Sequence, residues 1–169
     1  ADGARVEGVL VRNAVFGILV ERAKGVTLRG NEVLGSGRGP FGLRGDGIRL
    51  WETDASLVER NRVFGGRDVV VWYSRNNRLL GNVVESGRYG THLMYSHGSV
   101  VEDSRFVGNV VGVLVMYSRD VRLSRNVMLR SHGAAGMGLG VKESGNLTVT
   151  DNMFLHDTIR NMERGTGQV

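Results

Sequence analysis

Three soft donors fall close together in the pattern of this chain: His92, Met94 and Met116. An imidazole nitrogen with two thioethers suits a soft monovalent ion such as Cu(I), and the chain has no cysteine to supply a thiolate instead. Methionine is also a common packing residue, so stacked methionines have a purely structural reading as well. His97 lies near in sequence, His132 with Met137 forms a weaker second candidate, and His156 reads as a surface residue.

Two other chemistries are tested by position. Hydrolysis of a polysaccharide needs two carboxylates about 5–10 Å apart. The matching pairs here are Glu59 with Glu102, Glu52 with Glu143, and Asp103 with Asp151. Each pair is separated by intervening repeats, and no neighbouring outward pair emerges. Aromatic residues do recur, as Tyr73, Tyr95 and Tyr117 with Trp51 and Trp72 beside them. Such a stripe can bind a sugar or a protein partner, or can be a stack at a strand bend.

The element that positions these residues is a repeat. Asn31, Asn61, Asn82, Ser104, Asn126 and Asn152 each lie fourteen residues after a strand start, at Gly17, Gly47, Asp68, Gly90, Gly112 and Gly138. One and three residues after each start the chain is apolar, Thr91 excepted: Ile18/Val20, Ile48/Leu50, Val69/Val71, Thr91/Leu93, Val113/Val115 and Leu139/Val141. Alternation of this kind marks a strand with one buried face. Two more apolar columns follow, Leu28 to Val149 at plus eleven and Val33 to Phe154 at plus sixteen. Three inward segments per period predict a right-handed parallel β-helix of about six rungs of ~22 residues. Plus two and plus four then point outward, which puts His92 and Met94 on one face with Met116 in the next rung. The asparagine column is expected in a left-handed turn with laddered amides, and the column from Gly25 to Asn146 is a second turn. Longer insertions fall at Gly35–Pro40 and Ser131–Ala135. The solenoid is assigned to 1–157 and an irregular tail to 158–169.

Composition agrees. Gly numbers 26 and Pro one in 169 residues, with 41% hydrophobic residues, which suits short strands and tight turns. The net charge of +5 comes from arginines scattered through every rung among acidic residues, so no nucleic-acid face is expected. No apolar run is long enough to insert in a membrane. The chain opens on Ala1-Asp2-Gly3-Ala4 with no leader, as in a mature protein or an excerpt of a longer chain.

Four segments resemble the NosD family. They are Gly45-Asp46-Gly47-Ile48-Arg49-Leu50-Trp51, Arg88-Tyr89-Gly90-Thr91-His92-Leu93-Met94-Tyr95-Ser96-His97, Val113-Leu114-Val115-Met116-Tyr117-Ser118, and the stretch from Gly133 to Asn146. The resemblance implies a periplasmic, non-enzymatic accessory protein of nitrous oxide reductase maturation. It also implies copper as the metal handled, and ABC transporter subunits, a copper chaperone and the reductase as partners. The family is longer at both ends and carries a secretory signal, so the chain reads as a fragment. The resemblance assigns no copper ligands; His92, Met94 and Met116 come from the columns alone. The alternative is a carbohydrate-binding or polysaccharide-processing β-helix.

Overall fold

Each repeat carries three short segments with one apolar face, so burying all three requires the chain to bend between them and return above itself. The computed structural model describes residues 1–157 and shows this winding; the tail assigned to 158–169 lies outside the described residues. Three parallel sheets run along the axis. The first holds Arg5–Glu7, Thr27–Arg29, Leu57–Glu59, Arg78–Leu80, Val100–Glu102, Arg122–Ser124 and Thr148–Thr150. The second holds Leu10–Arg12, Glu32–Leu34, Arg62–Phe64, Val83–Glu85, Arg105–Val107, Val127–Leu129 and Met153–Leu155. The third has six longer strands: Ile18–Lys24, Ile48–Asp54, Asp68–Trp72, Tyr89–Met94, Val111–Met116 and Met137–Lys142. The fold is therefore six complete turns preceded by two strands of an earlier one, in which Val6 pairs with Leu28 and Val11 with Val33. Parallel crossovers take the right hand because twisted L-residue strands pack back on themselves only that way.

The apolar columns fill the interior. Leu28, Val58, Leu79, Val101 and Leu123 are buried from the first sheet, and Val33, Val63, Val84, Phe106 and Met128 from the second. Ile48, Leu50, Val69, Val71, Leu93, Val113 and Val115 close the third side. Glycine occupies five of the six start positions of the third sheet, Asp68 being the exception, because adjacent rungs leave little room: a Cβ on Gly112 would lie 2.5 Å from the Gly138 carbonyl oxygen and 2.6 Å from Met128 Cγ.

The asparagine ladder forms, with one difference. Asn82 Oδ1 accepts from both the backbone N–H and the side-chain amide of Asn61, each at 3.0 Å, while Asn82 Nδ2 donates to the Val58 carbonyl at 2.8 Å. Asn61 does the same for Asn31, and Asn152 for Asn126. Ser104 keeps the column going by accepting the Asn82 N–H at 3.1 Å. The left-handed residue is not the asparagine but the one before it, Gly30, Arg60, Gly81, Asp103, Arg125 or Asp151. That turn frees the following side chain to point inward, where its amide replaces the strand hydrogen bonds lost at the corner. The second column, Gly25 to Asn146, is a turn as expected, and it is left-handed throughout.

Candidate metal centre

The row at plus two reads Arg49, Val70, His92, Leu114, Gly140 across paired strands, and the row at plus four reads Trp51, Trp72, Met94, Met116, Lys142. Both face away from the core, as the alternation requires. At the middle of this face two side chains are nevertheless closed to solvent, Val70 fully buried and His92 5% exposed, while Met94, Leu114 and Met116 are half-buried. A register shift between Tyr89 and His92 against the strand Asp68–Trp72 places an irregularity at this point, a device that re-aims side chains locally. It sets Tyr89 and Trp72 edge-on to the His92 ring, with centroids 5.0 and 5.2 Å away.

His92 Nε2 lies 3.4 Å from Met116 Sδ. Metal–nitrogen and metal–sulfur bonds of about 2.0 and 2.3 Å at a near-tetrahedral angle hold the two donors about 3.5 Å apart, so this spacing fits shared coordination. Met94 pairs in register with Met116 on one side and Trp72 on the other. Burial pushes the His92 pKa from 6.5 down to about 4, the attraction of Asp68 only partly opposing it while Arg88 and Arg67 add to it. The ring is thus neutral at pH 7 and carries its lone pair on Nε2 or Nδ1 according to the tautomer; with the proton on Nε2 the same approach is an N–H···S hydrogen bond. His92 Nδ1 is buried without a hydrogen-bond partner, and so are Trp72 Nε1 and Arg49 Nε along the same face. Among the described residues, no three His, Cys, Asp or Glu side chains converge on a metal position. The donors that fit an ion here are therefore an imidazole and thioethers, a soft set. His97 is used otherwise: its Nδ1 accepts the Arg119 backbone N–H at 3.1 Å.

Sequence reasoning missed the charged floor beneath these residues. Asp46 and Asp68 have fully buried side chains on adjacent rungs, and both meet Arg67, at 2.9 and 3.7 Å. Arg88 pairs with Asp68, and Arg49 lies 3.6 Å from Asp46. Burial raises the Asp46 pKa, opposed chiefly by Arg67. This is a neighbouring carboxylate pair, which the outward columns did not reveal because both residues sit where the chain enters the third sheet. Held by arginines and shut from solvent, they cannot reach a polymer on the surface.

The aromatic residues form one connected run. Trp51 contacts Trp72 and Tyr73 at 5.6 and 5.3 Å, and Tyr73, Tyr95 and Tyr117 stack at 5.0 Å steps with planes within 12°. Arg49 lies over both tryptophans at 4.8 and 5.2 Å. All three tyrosines are left-handed, with φ of 50–52°. Because each ring covers the next, with Trp51 at one end and Lys142 over Tyr117 at the other, the stripe shows solvent its edges rather than its faces. Trp72, read from sequence as part of this surface, borders His92 and so joins the stripe to the donor set.

The family model described as periplasmic copper-binding protein (NosD) matches residues 35–165. Among solved structures, the periplasmic alginate epimerase AlgG aligns with 94% of this chain and 45% of its own, at 20% identity and a TM-score of 0.56. PfbA, a surface adhesin of Streptococcus pneumoniae, aligns with 89% of this chain and 60% of its own, at 10% identity and a TM-score of 0.56. These likenesses are of fold, and the chain spans about half the length of those proteins. A comparison with curated protein sequences gave no match.

Proposed function

Because the chain belongs to the NosD family, we propose that it is a non-enzymatic periplasmic accessory protein that holds Cu(I) for assembly of a copper centre, with His92, Met94 and Met116 as donors. The observation that carries this reading is the 3.4 Å approach of a neutral, solvent-shielded imidazole to a thioether. The ion is cargo. The surrounding charge favours a monovalent one, since three arginines at 49, 67 and 88 face two aspartates at 46 and 68 beside uncharged donors. A divalent ion would meet twice the repulsion and find no carboxylate among its donors, since Asp46 and Asp68 are engaged by the arginines.

The family likeness extends the proposal to action with an ABC transporter, a copper chaperone and nitrous oxide reductase. The surface assigned to a protein partner is the stripe of Trp51, Trp72, Tyr73, Tyr95 and Tyr117. Exposed tyrosine edges suit hydrogen bonding to a protein better than stacking on a sugar. The polysaccharide-processing alternative draws on a shared fold, and the neighbouring carboxylates Asp46 and Asp68 on adjacent rungs are buried. An anaerobic Cu(I) titration against a competing chelator tests the proposal. His92→Gln and the volume-conserving Met116→Leu should each weaken binding by about 10–100-fold. Affinities equal to wild type overturn the assignment, and epimerisation or cleavage of a uronate polymer would favour the alternative.

A further inference from the structure

An ion destined for His92 must reach a side chain that is 5% exposed. Beside it the two insertions of the solenoid converge on one cleft of about 680 Å³. The first contributes Phe41, from the short 3-10 turn Phe41–Leu43. The second contributes His132, Gly133, Ala134 and Ala135. The wall toward the donors is Tyr89, whose ring touches His92, and Leu114, the neighbour of His92 in its row. Arg88 lines the cleft too, but its charge is matched by Asp68. Two residues at the cleft are soft or borderline donors: His132, which is exposed, and Met137, which is 41% exposed. The Met137 methyl extends over the side-chain-free Gly140, toward Leu114. The loop is anchored, because the His132 backbone N–H donates to the Asn109 carbonyl at 2.9 Å.

We infer that His132 and Met137 form a capture site for the soft monovalent cation, from which it passes along the cleft to His92 and Met116. The inference rests on the copper-holding reading above. An exposed thioether and imidazole exchange their ion readily, whereas the buried pair, shielded from water, retains it. The insertions then have a function that the regular rungs lack: they line a cleft beside the face that carries the retained donors.

The test separates rate from affinity. Cu(I) is supplied anaerobically as its bicinchoninate complex to the whole chain, and loading is followed by stopped-flow loss of chelator colour. His132→Gln/Met137→Leu should slow loading by about tenfold while the equilibrium affinity of the His92/Met116 site stays at the wild-type value. The single variant Met137→Leu, which conserves volume at an exposed position, should show part of the same slowing. Unchanged loading rates in a protein that still binds Cu(I) through His92 overturn the capture site alone. Loss of affinity together with rate also overturns it, because His132 and Met137 would then belong to the retaining site. If wild-type binding does not depend on His92 or Met116 at all, the copper-holding reading itself fails.

Discussion

Replacing Asn82 by alanine tests whether the amide ladder holds the rungs in register. The substitution removes one oxygen that accepts both the backbone N–H and the side-chain amide of Asn61, and one amide that donates to Val58. Asn61 is 1% exposed, so water cannot readily replace what is lost. A buried donor without an acceptor costs about 1–3 kcal/mol, so the two orphaned donors together cost about 2–6 kcal/mol. Against a total domain stability of about 5–15 kcal/mol, that is a large fraction. Asn82→Ser should do less harm, since Ser104 already fills this column and accepts the Asn82 N–H. Its hydroxyl would keep the Asn61 backbone bond while the Asn61 side-chain bond and the donation to Val58 are lost, leaving one orphaned donor instead of two, at about 1–3 kcal/mol. Urea unfolding followed by the fluorescence of Trp51 and Trp72, with hydrogen exchange at the Asn61 amide, reads both effects. The exposed pair Arg62–Glu85 supplies the control, because Arg62→Ala should cost no more than about 1 kcal/mol. If alanine and serine at position 82 are equally tolerated, the ladder bonds are not what satisfies this corner.

Two more outcomes follow from the geometry. Gly112→Ala should destabilise the fold severely or abolish soluble expression, since its Cβ would press on the Gly138 carbonyl oxygen and Met128 Cγ; circular dichroism at wild-type strength would contradict the spacing. Copper-free protein should lose stability in acid through His92, whose folded pKa is depressed from 6.5 to about 4. A depressed histidine binds its proton more readily in the unfolded chain, so this contribution is intact above pH 6.5 and is lost as the pH falls toward the folded value. The loss reaches about 2 kcal/mol at pH 5, measured as the difference between wild type and His92→Gln so that Asp46, whose raised pKa acts in the opposite sense, cancels. Parallel pH curves for the two proteins would show that His92 is not desolvated.

The rungs were legible because a solenoid repeats its demands. Every turn needs the same inward residues, so Leu28, Val58, Leu79, Val101 and Leu123 carry the same message five times, and one exception such as Thr91 does not hide it. The site was legible only in part, because it is where the repeat is broken. Alternation correctly sends His92 and Met116 to one outward face, but a period-two rule equates outward with exposed, and here His92 and Val70 are covered. What covers them is not periodic: the register shift after Tyr89 and the Asp46, Asp68, Arg67 and Arg88 network at the strand entrances each occur once.

The same irregularities give the proposed donor pair, on a β-helix without cysteine, its particular surroundings. On a regular outer face an imidazole would be hydrated and half protonated near its ordinary pKa, and a thioether would compete poorly with water for an ion. The irregular strand brings Tyr89 and Trp72 against His92, which removes water and holds the ring neutral. The ion pairs beneath then satisfy the charges that this burial would otherwise strand. Regular rungs supply the 3.4 Å meeting of nitrogen and sulfur by stacking neighbours in register, and the departures from regularity bury the imidazole side of that meeting.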